Sequence, residues 1–130
     1  MVERPMSSRE QVRAAKAFAT IRNSGQDGAA LRSLALQLPT MLMTNGFLAT
    51  AAFLLAKGGS HHMVLFRALV SHLEGTDTLP PNQPPADDRA RFRTWVGAQG
   101  LSGSALRRVT KESLALAVWL KRAAQAYEVA

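Results

Sequence analysis

Three histidines, nine carboxylates and sixteen cations are the side chains of this 130-residue sequence that could do chemistry; there is no cysteine. Catalysis needs a nucleophile beside a base, a working pair of carboxylates, or a metal. His61 and His62 open a predicted helix, and His72 follows about three turns later, so the rings need not meet. No H-E-x-x-H pattern occurs. Most of the acidic residues, Glu3, Glu10, Asp27, Glu74, Asp77, Asp87, Asp88, Glu112 and Glu128, fall at predicted helix starts or in loops, where they act as caps. The adjacent Asp87 and Asp88 suit a helix N-terminus, whose dipole favours negative charge. Gly58-Gly59 lacks the Lys-Ser/Thr that a phosphate-binding loop needs. Without thiols there is neither a disulfide framework nor a thiolate metal site. No catalytic residue, cofactor or metal ligand is assigned, and the chain reads as a binding protein, not an enzyme.

The cations are better organised. The formal net charge is +7 and the pI about 11.1, which suits a polyanion partner. Arginine outnumbers lysine, and its planar fork can donate two hydrogen bonds to one phosphate. Arg9, Arg13 and Lys16 recur at i, i+4 and i+7, which predicts one exposed stripe. Arg107, Lys111 and Arg122 share a face of the last predicted helix, with Arg108 and Lys121 beside it. Arg89 and Arg93 lie one turn apart on the helix before it. Solvated helix faces are charged in any case, but a face built only for solubility mixes both signs, and these do not. Trp95, Trp119 and the phenylalanines sit at apolar spacing and read as core, so phosphate contact is expected rather than base reading.

The elements that must carry these residues are all helices. Ser7 with Glu10, or Ser8 with Gln11, forms a capping box for a first helix that ends near Asn23-Ser24-Gly25. Asp27 can cap a second, whose stripe is Leu31, Leu34, Ala35, Leu38 and Leu42, with Pro39 expected to kink it or mark its restart. Asn45-Gly46 offers a stop and a fresh start for a third helix, closed by Gly58-Gly59. Ser60 is expected to cap a fourth that ends at Gly75. Residues 75–87 hold Pro80, Pro81, Pro84 and Pro85 and predict an exposed, stiff connector. Asp87 or Asp88 caps a fifth helix with Phe92, Trp95 and Val96 inward. Ser102 or Ser104 caps the last, whose stripe is Leu106, Val109, Leu116, Leu120, Ala124 and Tyr127.

No alternating strand pattern of useful length appears. The prediction is an all-α, single-domain helical bundle of about five to six helices over residues 1–130. From Ser33 to Ala56 there is no charge, a length that could span a bilayer. Pro39, Gln37, Asn45, Gly46 and three threonines interrupt or dilute it, so buried helices are expected and no membrane partner. The N-terminal residues lack the apolar run of a signal peptide. The expected location is the cytoplasm.

Two stretches carry a resemblance. Residues 34–57 include Leu38-Pro39, Asn45-Gly46-Phe47-Leu48 and Ala52-Phe53-Leu54 through to Lys57. Residues 106–126 include Arg107, Thr110 and Glu112 as R-x-x-T-x-E, followed by Trp119-Leu120-Lys121-Arg122. In order and spacing they resemble the small subunit of the type III-B CRISPR (Cmr) RNA-silencing complex of prokaryotic antiviral defence. The likeness covers nearly the whole chain except the proline loop. Phe47 stands where leucine is usual and Gln125 where glutamate is usual; the histidine pair and the four-proline loop are particular to this chain.

The resemblance implies a helical protein with no active site. Copies stack on one another and on the repeated backbone subunit, and help hold guide RNA and single-stranded target RNA. RNA cleavage belongs to the backbone subunit. Carried onto this sequence, Arg107, Lys111, Lys121 and Arg122 contact RNA phosphate, with Arg108 beside them and Lys57 ending the other motif. Arg9, Arg13 and Lys16 lie outside the motifs and rest on charge alone. Two other classes compete. One is a structural adaptor whose basic faces dock acidic proteins. The other is a DNA-binding regulator, for which the helix from Asn45 offers only Phe47, Leu48, Ala51 and Leu55 as a face.

Overall fold

In the computed structural model five α-helices form around one apolar core, and the described residues are 8–23, 28–80, 87–97 and 100–128. The helix starts follow local chemistry. α1 (Arg9–Arg22) opens on a reciprocal capping box: Ser8 Oγ accepts from the Gln11 N–H, and the Gln11 side chain accepts from the Ser8 N–H. α3 (Ser60–Gly75) has Gly59 as its N-cap, so Ser60 is the first helical residue rather than the cap. α4 (Asp88–Val96) is capped by Asp87, which accepts from the Ala90 N–H at 2.7 Å. Ser102 does the same for α5 (Gly103–Glu128), accepting from the Ala105 N–H at 3.1 Å. Asp27 and prolines 81, 84 and 85 lie outside the described residues.

α2 (Gly28–Lys57) is two helices joined end to end. The interruption falls at Gly46, with φ 80° and ψ 177°, and not at Pro39, through which the helix continues. That backbone conformation belongs to glycine, because a Cβ strains it. The second segment restarts with the Phe47 N–H donating to Thr110 Oγ1 of α5 at 3.1 Å. A side chain 63 positions away therefore caps the new helix. The asparagine-glycine motif of one sequence stretch and the threonine of the other meet at this point.

α2 and α5 form the central packing pair, with α1 against α5 and α3 against α2. Leu31, Leu38, Leu42, Phe47 and Leu54 of α2 join Val109, Leu116 and Leu120 of α5 in the core, all buried. Each such leucine contributes roughly 1.5–3 kcal/mol by leaving water. The short α4 is held through Trp95, whose ring lies 5.3 Å from Phe47, 6.2 Å from Phe66 and 6.1 Å from Phe92. Val96, expected inward, is 52% exposed, because Trp95 already fills that side of a helix of only nine residues. The hydroxyls of Thr50 and Ser113 are buried without a hydrogen-bond partner among the described residues.

α2 is the one described helix long and apolar enough to cross a membrane by length and composition. It is broken at Gly46, and its Leu31, Leu34, Leu38, Leu42, Leu54 and Leu55 are buried against the rest of the protein.

Candidate nucleic-acid interface

α5 presents the basic face expected of it. Arg107, Arg108, Lys111, Lys121 and Arg122 are all exposed. At 1.5 Å per residue the face from Arg107 to Arg122 runs about 22 Å. The charge is not continuous along it. Leu114, Ala115 and Val118 are half-buried between the two ends, so the cations form one group near the helix start and another at Lys121-Arg122. The Arg122 guanidinium lies 4.8 Å from the centre of the Trp119 ring, an arrangement that limits the side chain's freedom. Trp119 is half-buried, with the rest of its surface packed on the core.

The single carboxylate of α5 between Arg107 and Arg122 lies at the edge of that face, one turn from Arg108, where cations of α1 close over it. Glu112 is buried, at 7% exposure, and is the hub of an ion network. Arg13 donates from Nε to Oε2 at 2.8 Å and from Nη2 to Oε1 at 2.7 Å. Arg9 donates from Nη1 to Oε1 at 3.3 Å, and His72 Nε2 lies 2.7 Å from Oε2. Burial pushes the Glu112 carboxyl up, but hydrogen bonds from Arg13 and His72, with their charges, more than offset it and hold it at about 2. The hydrogen bond to Glu112 in turn raises Arg13.

The α1 stripe needs correcting on this point. Arg9, Arg13 and Lys16 do share a face, but only Arg9 is exposed; Arg13 and Lys16 are half-buried beside α5 and α3. Arg13 and Arg9 meet Glu112, and Lys16 Nζ donates to Ser71 Oγ at 2.9 Å. Glu112 is neither a loop acid nor a cap, the roles that the sequence suggests for most of the carboxylates. Its position carries the signal: three residues after Val109 and four before Leu116, it lies in register with the buried stripe. A carboxylate in an apolar register needs cations, and Arg9 and Arg13 at i and i+4 supply them.

Lys57, at the end of α2, is exposed beside a small ring cluster. Its ammonium sits 5.9 Å from the Phe53 ring centre; Phe53 meets His62 edge-on at 5.9 Å, and His61 and His62 lie 4.1 Å apart. Burial lowers the His62 pKa, helped by the charges of His61 and Lys57. Arg89, from α4, caps the end of α2 by donating to the Leu55 carbonyl at 3.3 Å, while Arg67 pairs with Asp88 and Arg91 with Glu74. Several basic residues thus have internal work, and those of α5 stand out by contrast. Among the described residues no group of three His, Asp or Glu gathers to hold a metal ion.

Comparison with known proteins adds an independent line. Residues 9–127 match the family model for CRISPR-associated protein Cas_Cmr5. The fold matches the crystal structure of a CRISPR-associated Cmr5 family protein from Thermus thermophilus, with a TM-score of 0.72 and 30% identity, covering 93% of this chain and 97% of that one. No curated protein matches the sequence.

Proposed function

The chain belongs to the CRISPR-associated Cmr5 family, which makes it a subunit of a Cmr complex, and from there we propose that it holds RNA rather than cleaving it. In this reading it is a non-catalytic, cytoplasmic small subunit of a type III-B ribonucleoprotein. Copies stack along the complex on one another and on the repeated backbone subunit. Together they support guide RNA and single-stranded target RNA for antiviral defence.

The observation that carries the reading is the sign of the α5 surface. Glu112 is buried while Arg107, Arg108, Lys111, Lys121 and Arg122 remain exposed, which leaves two exposed groups of one sign along α5. Sequence-independent binding to a phosphate backbone needs charge laid out in this way. Lys57 extends the candidate set on α2, and Arg9, Arg13 and Lys16 of α1 belong to it as well, each with an internal partner that already holds its side chain. The buried Glu112–His72 contact supports a structural role, since two guanidinium groups close over the carboxylate.

A protein-docking role coexists with this one. The outward residues of α2 between Ser33 and Ala56, among them Gln37, Thr40, Thr44 and the 73%-exposed Met43, carry no charge. In a chain of net charge +7 such a face suits contact with protein better than contact with RNA.

The test is RNA retention by the assembled complex over a range of salt. Each single-strand phosphate contact contributes about 0.7 to the slope of log affinity against log salt. Replacing Arg107, Lys121 and Arg122 together by glutamine is expected to weaken retention and flatten that slope by about 2. Unchanged retention with failed assembly would establish the adaptor reading in its place.

A further inference from the structure

The N-terminal cation group of α5 does not stand on an open ridge. Arg108 and Lys111 form one wall of a groove of about 570 Å³; Arg9 and Arg13 of α1 form the other, and the turn at residues 76–78 closes one end. That volume lies within the range of about 300–1,000 Å³ seen for clefts that take small ligands. Four cations face Asp77 and Glu112, so the groove is net positive. Neither Arg108 nor Lys111 has a carboxylate partner among the described residues.

What separates this groove from ordinary surface charge is its preorganisation. An exposed arginine loses side-chain entropy when it grips a phosphate. Arg13 has already lost it, held by the two hydrogen bonds it donates to the buried Glu112, and Arg9 is steered by a third. The N–H groups that Glu112 does not use remain as donors. At the other end of α5, Arg122 lies against the Trp119 ring instead.

We propose that this groove seats one phosphodiester of the bound RNA strand, gripped by Arg108 and Lys111 on one side and by Arg9 and Arg13 on the other. Glu112 is the positioning residue that fixes the α1 pair. The proposal rests on the RNA-holding reading and narrows it to a single seat.

The experiment measures fluorescence anisotropy of a labelled single-stranded RNA of about 20 nucleotides with the full chain, over roughly 50–300 mM salt. Arg9→Gln/Arg108→Gln and Lys121→Gln/Arg122→Gln remove equal charge. The groove pair is expected to weaken binding at least about tenfold more than the control pair and to lower the salt slope by about 0.7, the loss of one phosphate contact. Asp77→Asn removes the rim carboxylate at a backbone position (φ 56°) that asparagine tolerates, and is expected to tighten binding several-fold. Glu112→Gln tests positioning. It makes the protein more positive, so bulk charge alone would tighten binding, whereas loss of the fixed guanidinium pair weakens it. Equal weakening by the two pairs, with Asp77→Asn silent, overturns the groove and leaves the RNA reading standing. Wild-type protein that binds no RNA, or binds it independently of salt, overturns both.

Discussion

Replacing Glu112 by glutamine keeps the shape of the hub and removes its charge. The folded-state carboxyl sits at about 2 against an ordinary value of 4.5. The folded protein therefore binds this proton less readily than the unfolded chain does. The resulting stability is fully present above about pH 4.5 and is lost as pH falls through 2. At about 1.4 kcal/mol per pH unit the gap is worth about 3 kcal/mol at pH 7. That is a large share of the roughly 5–15 kcal/mol that holds a domain together, and it corresponds to a Tm loss of roughly 10 °C at this size. Urea unfolding of wild type and Glu112→Gln, measured side by side from pH 7 to pH 3, isolates the group, since every other carboxylate cancels in the difference. The difference should be about 3 kcal/mol at neutral pH and narrow to about 1 kcal/mol near pH 3. A difference below about 1 kcal/mol at pH 7, or one that stays constant with pH, refutes the network's role.

Three further outcomes are expected. Gly46→Ala should cost about 1–3 kcal/mol in urea unfolding, through backbone strain rather than crowding, since the nearest atom to a new Cβ is Thr110 Oγ1 at 3.9 Å; a neutral result would show that the break can be absorbed. Thr50→Val removes a buried hydroxyl with no partner among the described residues and should stabilise by about 1 kcal/mol; destabilisation would reveal a hidden hydrogen bond. The His62 ring, followed by proton NMR, should titrate below 6.5 and rise when Lys57 is replaced by glutamine; a titration unmoved by that change would remove Lys57 from the cause.

The helices were legible because their signals are local. Ser8 with Gln11, Asp87 and Ser102 each cap within three residues, and the leucine stripes of α2 and α5 need only periodicity. The exposed cations of α5 were legible for the same reason. What escaped was whatever depends on a partner from elsewhere in the chain. The α1 cations read as solvent-facing because their counter-charge lies 99 and 103 residues away on Glu112. Of the two interruptions expected in α2, the one at Asn45-Gly46 occurs and the one at Pro39 does not; what the sequence could not show is that α5 supplies the hydrogen bond at the break. Val96 turned outward because Trp95 fills the core side of so short a helix.

The hydrogen bond from the Phe47 amide to Thr110 also bears on the order in which the chain assembles. Before α5 docks, the Phe47 N–H at the start of the second half of α2 has only water to donate to; after docking it has the Thr110 hydroxyl. The docking of α5 thus supplies the cap of the second half of α2 from 63 positions downstream. Deuterium uptake at the Phe47 amide therefore reports on the docking of α5, and Thr110→Val should speed that uptake without disturbing the caps of α1, α4 or α5.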